Sequence, residues 1–155
     1  MKKTYLTTAP AQTQKLGTVL GKRVLEISSA GKAVVIGLEG NLGGGKTTFL
    51  QGFAKGLGIK EKINSPTFVI LKRFKIKNSK FKNFYHLDCY RIKTPKELLD
   101  LGFERVIADS QSIVAVEWAE RIKKIMPKGS TSVKFYFVDK LKRRIVITLN
   151  NERKK

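Results

Sequence analysis

The stretch EGNLGGGKTTF, residues 39–49, places four glycines within six residues and follows them with a lysine and two threonines. It matches the pattern G-x-x-x-x-G-K-[ST] at Gly40, Gly45, Lys46 and Thr47. Glycines suit a loop whose backbone N–H groups close around phosphates, because a Cβ there would collide with the ligand or forbid positive φ angles. In such a loop the lysine reaches the β- and γ-phosphates, and the threonine hydroxyl is placed to ligate Mg²⁺. The pattern therefore predicts a nucleotide site.

Two acidic residues end short apolar runs and are candidates to complete this site. The chain has only 12 acidic residues, and among them Glu117 ends SIVAVE and Asp88 ends FYHLD. Glu117 could hold Mg²⁺ directly or through water, and Asp88 could orient the attacking water or complete the metal shell. Spacing leaves the division of roles between them open. His86 points to the same strand face as Asp88 and is expected to pack or hydrogen-bond, and Cys89 to be a small buried side chain.

These residues need a sheet and helices to position them. The apolar run 33–38 (AVVIGL) predicts a buried strand that enters the loop, and Lys46 begins an amphipathic helix with Gly58 as its C-terminal cap. The other predicted elements are an edge strand at 4–8, a helix at 11–28, a hairpin of strands 67–76 and 81–91, a helix at 96–101, a strand at 112–118 and a final strand pair at 132–138 and 144–149. This order predicts an α/β P-loop NTPase-like domain over residues 1–150, with a mostly parallel central sheet, flanking helices and a C-terminal strand pair. Residues 151–155 are expected to form a flexible basic tail.

The composition predicts a globular protein that attracts polyanions. The chain has 155 residues, of which 41% are hydrophobic, and a net charge of +20. One cysteine, and no apolar run of about 20 residues, favour a cytoplasmic protein without a membrane partner. The charge makes nucleic acid a natural partner, although a general bias towards lysine explains it equally well.

Five separated motifs occur in a fixed order along the chain: GNLGGGKTTF from Gly40, NSPTF at 64–68, FYHLDCYR at 84–91, LLDLGFE at 98–104 and VEWAER at 116–121. Together they resemble the TsaE family, small bacterial P-loop ATPases of tRNA threonylcarbamoyladenosine (t6A) biosynthesis. The resemblance covers nearly the whole chain from residue 10 to residue 125 and weakens in the C-terminal strand pair. A glycine loop alone is shared by many families, whereas its combination with SPTF, HxDxYR and VEW is specific.

The resemblance implies particular site residues. It implies ATP binding by Gly43, Gly44, Gly45, Lys46, Thr47 and Thr48. It implies Mg²⁺ binding by Thr47 and Glu117, makes Asp88 necessary for activity, and makes residues 65–67 a nucleotide-sensing switch. It also implies that the segment near Thr13 sits by the adenine and that Trp118 belongs to the same site, with a core role for this tryptophan equally open.

The resemblance also implies a function. A TsaE-like protein does not modify tRNA itself but binds the complex of TsaB and TsaD, of which TsaD transfers the threonylcarbamoyl group to adenosine 37 of ANN-decoding tRNAs. ATP binding and hydrolysis then reset that complex between turnovers. The chain departs from the family at Asn41, usually Asp, and at Gly44, usually a small residue such as Ala. Because the backbone makes the phosphate contacts, both departures are expected to leave binding intact.

Two alternatives belong to other classes of protein. A small-molecule P-loop kinase needs an arginine-bearing lid, and the arginines of this chain are scattered. The absence of an arginine finger also predicts slow hydrolysis by the chain alone.

The second alternative is a basic nucleic-acid-binding protein with a regulatory nucleotide site. The hairpin 72–84 alternates so that Arg73, Lys75 and Lys77 share one face, and this stripe either contacts tRNA or is an ordinary solvated face. A GTPase is disfavoured because the chain has no [NT]KxD segment.

Overall fold

The structure, a computed structural model, describes residues 1–27, 30–41, 45–64, 71–78 and 80–149. The helices and strands in chain order are β1 Lys2–Thr7, α1 Pro10–Val24, β2 Val34–Glu39, α2 Lys46–Gly56, β3 Leu71–Lys75, β4 Asn83–Asp88, α3 Lys96–Asp100, α4 Phe103–Ala108, β5 Ser112–Glu117, the 3₁₀-helix η1 Ala119–Ile125, β6 Thr131–Phe137 and β7 Arg143–Thr148. In the part of the chain described, no helix is long and apolar enough to cross a membrane.

All seven strands form one sheet in the order β1-β7-β6-β2-β5-β4-β3. The four central strands β6, β2, β5 and β4 are parallel, whereas β1–β7, β7–β6 and β4–β3 are antiparallel pairs. The predicted parallel centre of the sheet is confirmed, whereas the sheet as a whole is mixed, since three of the six pairings are antiparallel. The physical reason is that a short turn can join only antiparallel neighbours, and such turns link β3 to β4 and β6 to β7. The predicted C-terminal strand pair is confirmed.

Helices cover the two faces of the sheet, and a hydrophobic core lies under each layer. The helices α1 and α2 cover one face, where Phe49 and Phe53 of α2 are fully buried against the sheet. The short elements α3, α4 and η1 cover the central strands on the other face, where Leu98, Phe103 and Ile122 are buried. This sandwich buries β2 and β5 from both sides, which is why their sequences are almost continuously apolar.

The two helices of the first layer pack at very short range. A Cβ added at Gly52 would lie 1.8 Å from the backbone oxygen of Gln14, and one added at Gly17 would lie 2.1 Å from that of Phe49. Only glycine allows the two backbones this approach. The close contact holds α2, and with it the end of the glycine loop, against α1.

Most predicted elements are found with shifted ends. The helix predicted at 11–28 ends at Val24, and its predicted residue 28 lies outside the described residues. Of the strand predicted at 67–76, residues 67–70 also lie outside them, and the described part forms β3. The elements α4 and η1 were not predicted, because six or seven residues are too few to show a helical period.

Candidate functional site

The parallel strands bring the glycine loop and the two acidic residues to one edge of the sheet. Strands β2, β5 and β4 lie side by side, and Glu117 pairs with Leu38 on one side and with Asp88 on the other. The carboxyl ends of parallel strands meet at the same edge, which is where α/β sheets bind ligands. The loop continues from β2 at this edge and α2 begins from it at Lys46. Residues distant in sequence thus converge at the edge where they were expected.

The described ends of the glycine loop have the backbone conformations that require glycine. Gly40 has φ 145° and Gly45 has φ 95°. A Cβ at Gly40 would also lie 2.7 Å from the carbonyl oxygen of Phe135. After Gly45 the first helical hydrogen bond runs from the Phe49 N–H to the Gly45 carbonyl at 2.9 Å. Gly43 and Gly44, predicted to bind phosphate, lie outside the described residues.

Lys46 is buried at the first position of α2, with its ammonium group directed back over the loop. Its Nζ donates to the carbonyl oxygens of Gly40 and Asn41, the latter at 3.0 Å, and lies 4.0 Å from the centre of the Trp118 ring. Burial lowers the pKa of Lys46, an effect that Glu120, Glu117 and Asp88 oppose. A phosphate group at this position would give the desolvated ammonium group a charged partner.

Glu117 is the centre of a buried hydrogen-bonded set. Its Oε1 accepts from the Thr47 hydroxyl at 3.2 Å, and its Oε2 lies 2.7 Å from His86 Nε2. Glu117 and His86 are only 2% and 1% exposed. The hydrogen-bonding role expected for His86 is confirmed, and its partner was not foreseen. It follows that Thr47 and Glu117 present their oxygens together, with the carboxylate held in orientation by the imidazole.

Asp88 lies at the end of β4, on the strand next to Glu117. Its Oδ1 accepts from the Tyr90 backbone N–H at 2.9 Å. The pKa of Asp88 is raised, chiefly by burial and further by Glu117, against the lowering effects of the Tyr90 hydrogen bond, His86 and Lys46. The carboxyl group is therefore half-buried and close enough to the other site residues to feel their charges.

The oxygen atoms present suit Mg²⁺, which keeps several water or phosphate ligands, better than a metal ion whose ligands all come from protein side chains. Within the described residues no group of three His, Cys, Asp or Glu side chains could hold a metal ion. Magnesium usually takes one or two protein ligands and fills its shell with water and substrate phosphates. Thr47 and Glu117 supply two adjacent oxygens of this kind beside the loop.

Trp118 takes part in a cluster of aromatic and cationic groups at the same edge. It is the one non-glycine residue with a positive φ, 59°, among the residues described. Its ring lies 5.0 Å from that of Tyr90, and the guanidinium of Arg121 lies 5.3 Å from both ring centres. Such backbone strain tends to occur at functional sites. The ring is partly buried against the core of this face and also lies beside the Lys46 ammonium group, so the assignment of Trp118 to the site stays a prediction.

Of the remaining predicted residues, Thr13, Thr48 and Cys89 are among the described residues. Thr13 is buried on α1, its hydroxyl bonds that of Thr7 at 2.8 Å, and its methyl carbon would lie 3.5 Å from a Cβ at Gly45. Thr48 lies half-buried in the first turn of α2. The switch segment 65–67 is outside the described residues.

Cys89 is buried, as expected, and burial raises its pKa to about 12, so the thiol stays protonated.

The fold and the site define a class: a single mixed α/β sheet with a Gly-Lys-Thr loop between a buried parallel strand and a helix, and a threonine–glutamate pair beside it. Within that class the chain belongs to the TsaE family, since the model described as "Threonylcarbamoyl adenosine biosynthesis protein TsaE" matches residues 7–146. The resemblance inferred from the five motifs is thereby confirmed.

Individual relatives agree with the family assignment. The chain is 35% identical over 121 residues to the TsaE protein of Treponema pallidum, a match that covers 78% of this chain and 82% of that protein. It is 45% identical over 94 residues to the TsaE protein of Bacillus subtilis, covering 61% of this chain and 56% of that relative's length. It is also similar to the crystal structure of YdiB from Bacillus subtilis, with a TM-score of 0.74, 28% identity, and 99% of this chain and 88% of that one covered.

Proposed function

We propose that this chain is a Mg²⁺-dependent ATPase with a P-loop NTPase-like fold that serves tRNA threonylcarbamoyladenosine biosynthesis. The observation that carries the proposal is the convergence of Lys46, Thr47 and Glu117 at the carboxyl edge of the parallel strands. Membership of the TsaE family supports the pathway. In this reading the glycine loop would bind the phosphates of ATP, and Thr47 and Glu117 would hold Mg²⁺, which would supply charge neutralisation for phosphoryl transfer.

The side chains of the site would act by binding and orientation. Lys46 would exchange its carbonyl partners Gly40 and Asn41 for phosphate oxygens, which gives its ammonium group full charge compensation. His86 would keep the Glu117 carboxylate in place. Asp88 would orient the water that attacks the γ-phosphorus, and the bond to the bridging β–γ oxygen would break, leaving ADP and phosphate.

We further propose that hydrolysis by the isolated chain is slow and that it becomes productive with TsaB and TsaD. The guanidinium of Arg121, which lies near the site, contacts the rings of Trp118 and Tyr90 within the chain itself. In related nucleotide-driven switches, loss of the γ-phosphate orders or releases nearby loops and so changes partner affinity. ATP turnover would reset the TsaB–TsaD complex between rounds of threonylcarbamoyl transfer to tRNA.

The test is steady-state hydrolysis of Mg·ATP by the chain alone and then with TsaB, TsaD and tRNA. We expect slow turnover alone and a clear rise with the partners. Lys46→Ala should abolish both nucleotide binding and turnover, whereas Lys55→Ala, an exposed lysine of the same helix, should change neither. Wild-type nucleotide affinity in Lys46→Ala would overturn the nucleotide site. A hydrolysis rate that does not change when the partners are added would overturn only the accessory role.

A second proposal, direct contact with tRNA, has a specific observation in its favour. In the basic hairpin 72–84, Phe74 and Ile76 are buried, while Arg73, Lys75 and Lys77 are exposed. The hairpin contains the edge strand β3, so its basic side chains are accessible along one margin of the sheet. Such a stripe would bind phosphate groups without reading sequence.

A further inference from the structure

Glu120 is a carboxylate beside the glycine loop that the proposed reaction does not use. Its Oε2 accepts a hydrogen bond from the backbone N–H of Gly40, the first glycine of the loop, at 3.2 Å. The Glu120 side chain is exposed, in contrast to that of Glu117 three residues earlier, which is buried. A second acidic group therefore contacts the loop, at the residue where the loop begins.

The turn after β5 brings Glu120 to the end of β2. Trp118, the residue that follows β5, has a positive φ of 59°, and η1 begins at the next residue. The first residue of η1, Ala119, packs directly on β2, since a Cβ added at Gly37 would lie only 3.0 Å from the Ala119 Cβ. Because Gly37 precedes Gly40 by three residues, the second residue of η1 reaches the start of the loop.

Glu120 and Lys46 bind the same residue of the loop. Lys46 Nζ donates to the Gly40 carbonyl oxygen, and Glu120 accepts from the Gly40 N–H. The two opposite charges are therefore separated by little more than one backbone residue. Of the three carboxylates that oppose the lowering of the Lys46 pKa by burial, Glu120 has the largest effect. Glu120 is thus the acidic group that contributes most to compensating the Lys46 charge.

The Glu120 carboxylate forms no salt bridge within the described part of the chain, where the ion pairs are His86–Glu117, Lys134–Glu39 and Lys142–Asp139. The neighbouring acid Glu39, by contrast, lies 3.8 Å from Lys134 Nζ. A hydrogen bond from a backbone N–H leaves the net charge of a carboxylate in place, so that charge still acts on other charges nearby. It therefore acts on any anion that binds beside Lys46.

We propose that Glu120 limits the affinity of the glycine loop for phosphate groups, because its carboxylate compensates the charge of Lys46 and repels the phosphates that take over this role. Solvent and salt weaken such a repulsion at an exposed position but do not abolish it at short range. The repulsion applies to ATP and ADP alike, so it favours release of the product and exchange for new ATP. This inference rests on the proposed function, since it concerns the affinity of the same nucleotide site.

The test removes the charge of Glu120 and keeps its shape and its hydrogen bond. Calorimetric dissociation constants for Mg·ATP and for Mg·tripolyphosphate are measured at low and at high salt, with the full chain and with Glu120→Gln, whose amide oxygen can still accept from the Gly40 N–H. Two controls match this change: Glu120→Asp keeps the charge at the same position, and Glu104→Gln removes a carboxylate from an exposed site on α4. Melting temperatures establish that each variant is folded.

We expect Glu120→Gln to bind both ligands about fivefold more tightly at low salt, with a smaller gain at high salt because salt screens the repulsion. Both controls should stay within about twofold of the wild type. A purely structural role for Glu120 predicts a loss of affinity instead. Unchanged or weaker binding by Glu120→Gln, a gain that does not depend on salt, or an equal gain in either control would overturn the inference and leave the nucleotide site intact. If the full chain binds neither ligand, the proposed function falls together with the inference.

Discussion

Glu117 uses each of its carboxylate oxygens for a different neighbour, Thr47 on the loop side and His86 on the sheet side. The three residues come from α2, β5 and β4, and together they form a candidate metal site beside the glycine loop. A buried carboxylate with hydrogen bonds to both oxygens has little freedom to rotate. Orientation of this kind is typical of ligands whose position decides metal geometry.

Glu117→Ala should retain part of the nucleotide affinity but lose turnover. The loop and Lys46 would still bind phosphate, whereas the Mg²⁺ ligand and the partner of His86 would be gone. Nucleotide affinity and steady-state hydrolysis are measured on the same preparation. Glu104→Ala, an exposed glutamate on α4, is the control. Undiminished turnover in Glu117→Ala would contradict the assigned role.

Asp88→Asn should lose activity while gaining stability at neutral pH. Because burial raises the pKa of Asp88 in the folded state, its ionised form opposes folding. A raised carboxyl pKa means that the folded chain holds the proton more tightly than the unfolded one. Stability is therefore lost as the pH rises from the unfolded pKa through the folded pKa, and the amide removes this loss while keeping an acceptor for the Tyr90 N–H.

The measurement is the melting temperature of Asp88→Asn and wild type from acid to neutral pH. The melting temperature of the variant should match that of the wild type in acid and exceed it at neutral pH. Asp100→Asn, at an exposed site on α3, controls for the loss of one charge. A variant less stable than the wild type at neutral pH would contradict the pKa argument.

At the scale of elements, the contact between α1 and α2 sets the position of the glycine loop. The helices approach so closely that Gly17, Gly21, Gly52 and Gly56 each leave no room for a side chain. Because Lys46 is the first residue of α2, any separation of the helices would move the residues that bind phosphate. The site therefore depends on four glycines that lie in the contact between the helices, outside the glycine loop.

Gly52→Ala should destabilise the chain by about 3 kcal/mol or more, at the upper end of the cost of overpacking a core. The new methyl group would lie 1.8 Å from the Gln14 carbonyl oxygen, and relief requires the two helices to part. Urea unfolding measures the free energy of unfolding. Lys55→Ala, exposed on the same helix, should change it by no more than about 0.5 kcal/mol. A Gly52→Ala variant as stable as Lys55→Ala would disprove the packing argument.

At the scale of the whole molecule, the sequence has a net charge of +20, and exposed basic residues of the described part of the chain occur in both helical layers and on both edge strands of the sheet. A field of this sign accelerates association with polyanions and makes it depend on salt. If general attraction alone were responsible, every exposed lysine would contribute equally to the affinity for tRNA. A specific surface would concentrate the effect on a few residues, and the basic hairpin 72–84 is the surface that the alternation predicts.

Replacement of Arg73, Lys75 and Lys77 together by alanine should weaken tRNA binding and lower the slope of log affinity against log salt by about 2 to 3, because each phosphate contact contributes about 0.7–0.9. Filter binding over a salt series measures both quantities. The control replaces Lys15, Lys22 and Lys55, exposed lysines of the α1–α2 layer, and so removes the same charge elsewhere. Equal effects of the two triple variants would indicate general attraction and sink the hairpin proposal.

Parts of the fold that depend on local pattern were predictable. The buried strand before the loop, the helix after it and the final strand pair follow from short apolar runs and glycine positions, and all three are present. The order of the strands in the sheet was not, since it depends on which strands meet in space. The short elements α4 and η1 were also not predicted, because packing against the sheet stabilises them and their sequences show no helical period.

The amino-acid sequence by itself determined the glycine loop, the family to which it belongs and the two acidic candidates, because these are motifs of consecutive residues. Only the tertiary structure decided that His86 holds Glu117, that Lys46 lies against Trp118, and that Phe135 and Arg143 border Gly45. Each of these contacts joins segments far apart in the chain. They exist because parallel strands bring their carboxyl ends to one edge, a property of the assembled sheet and of no single stretch of sequence.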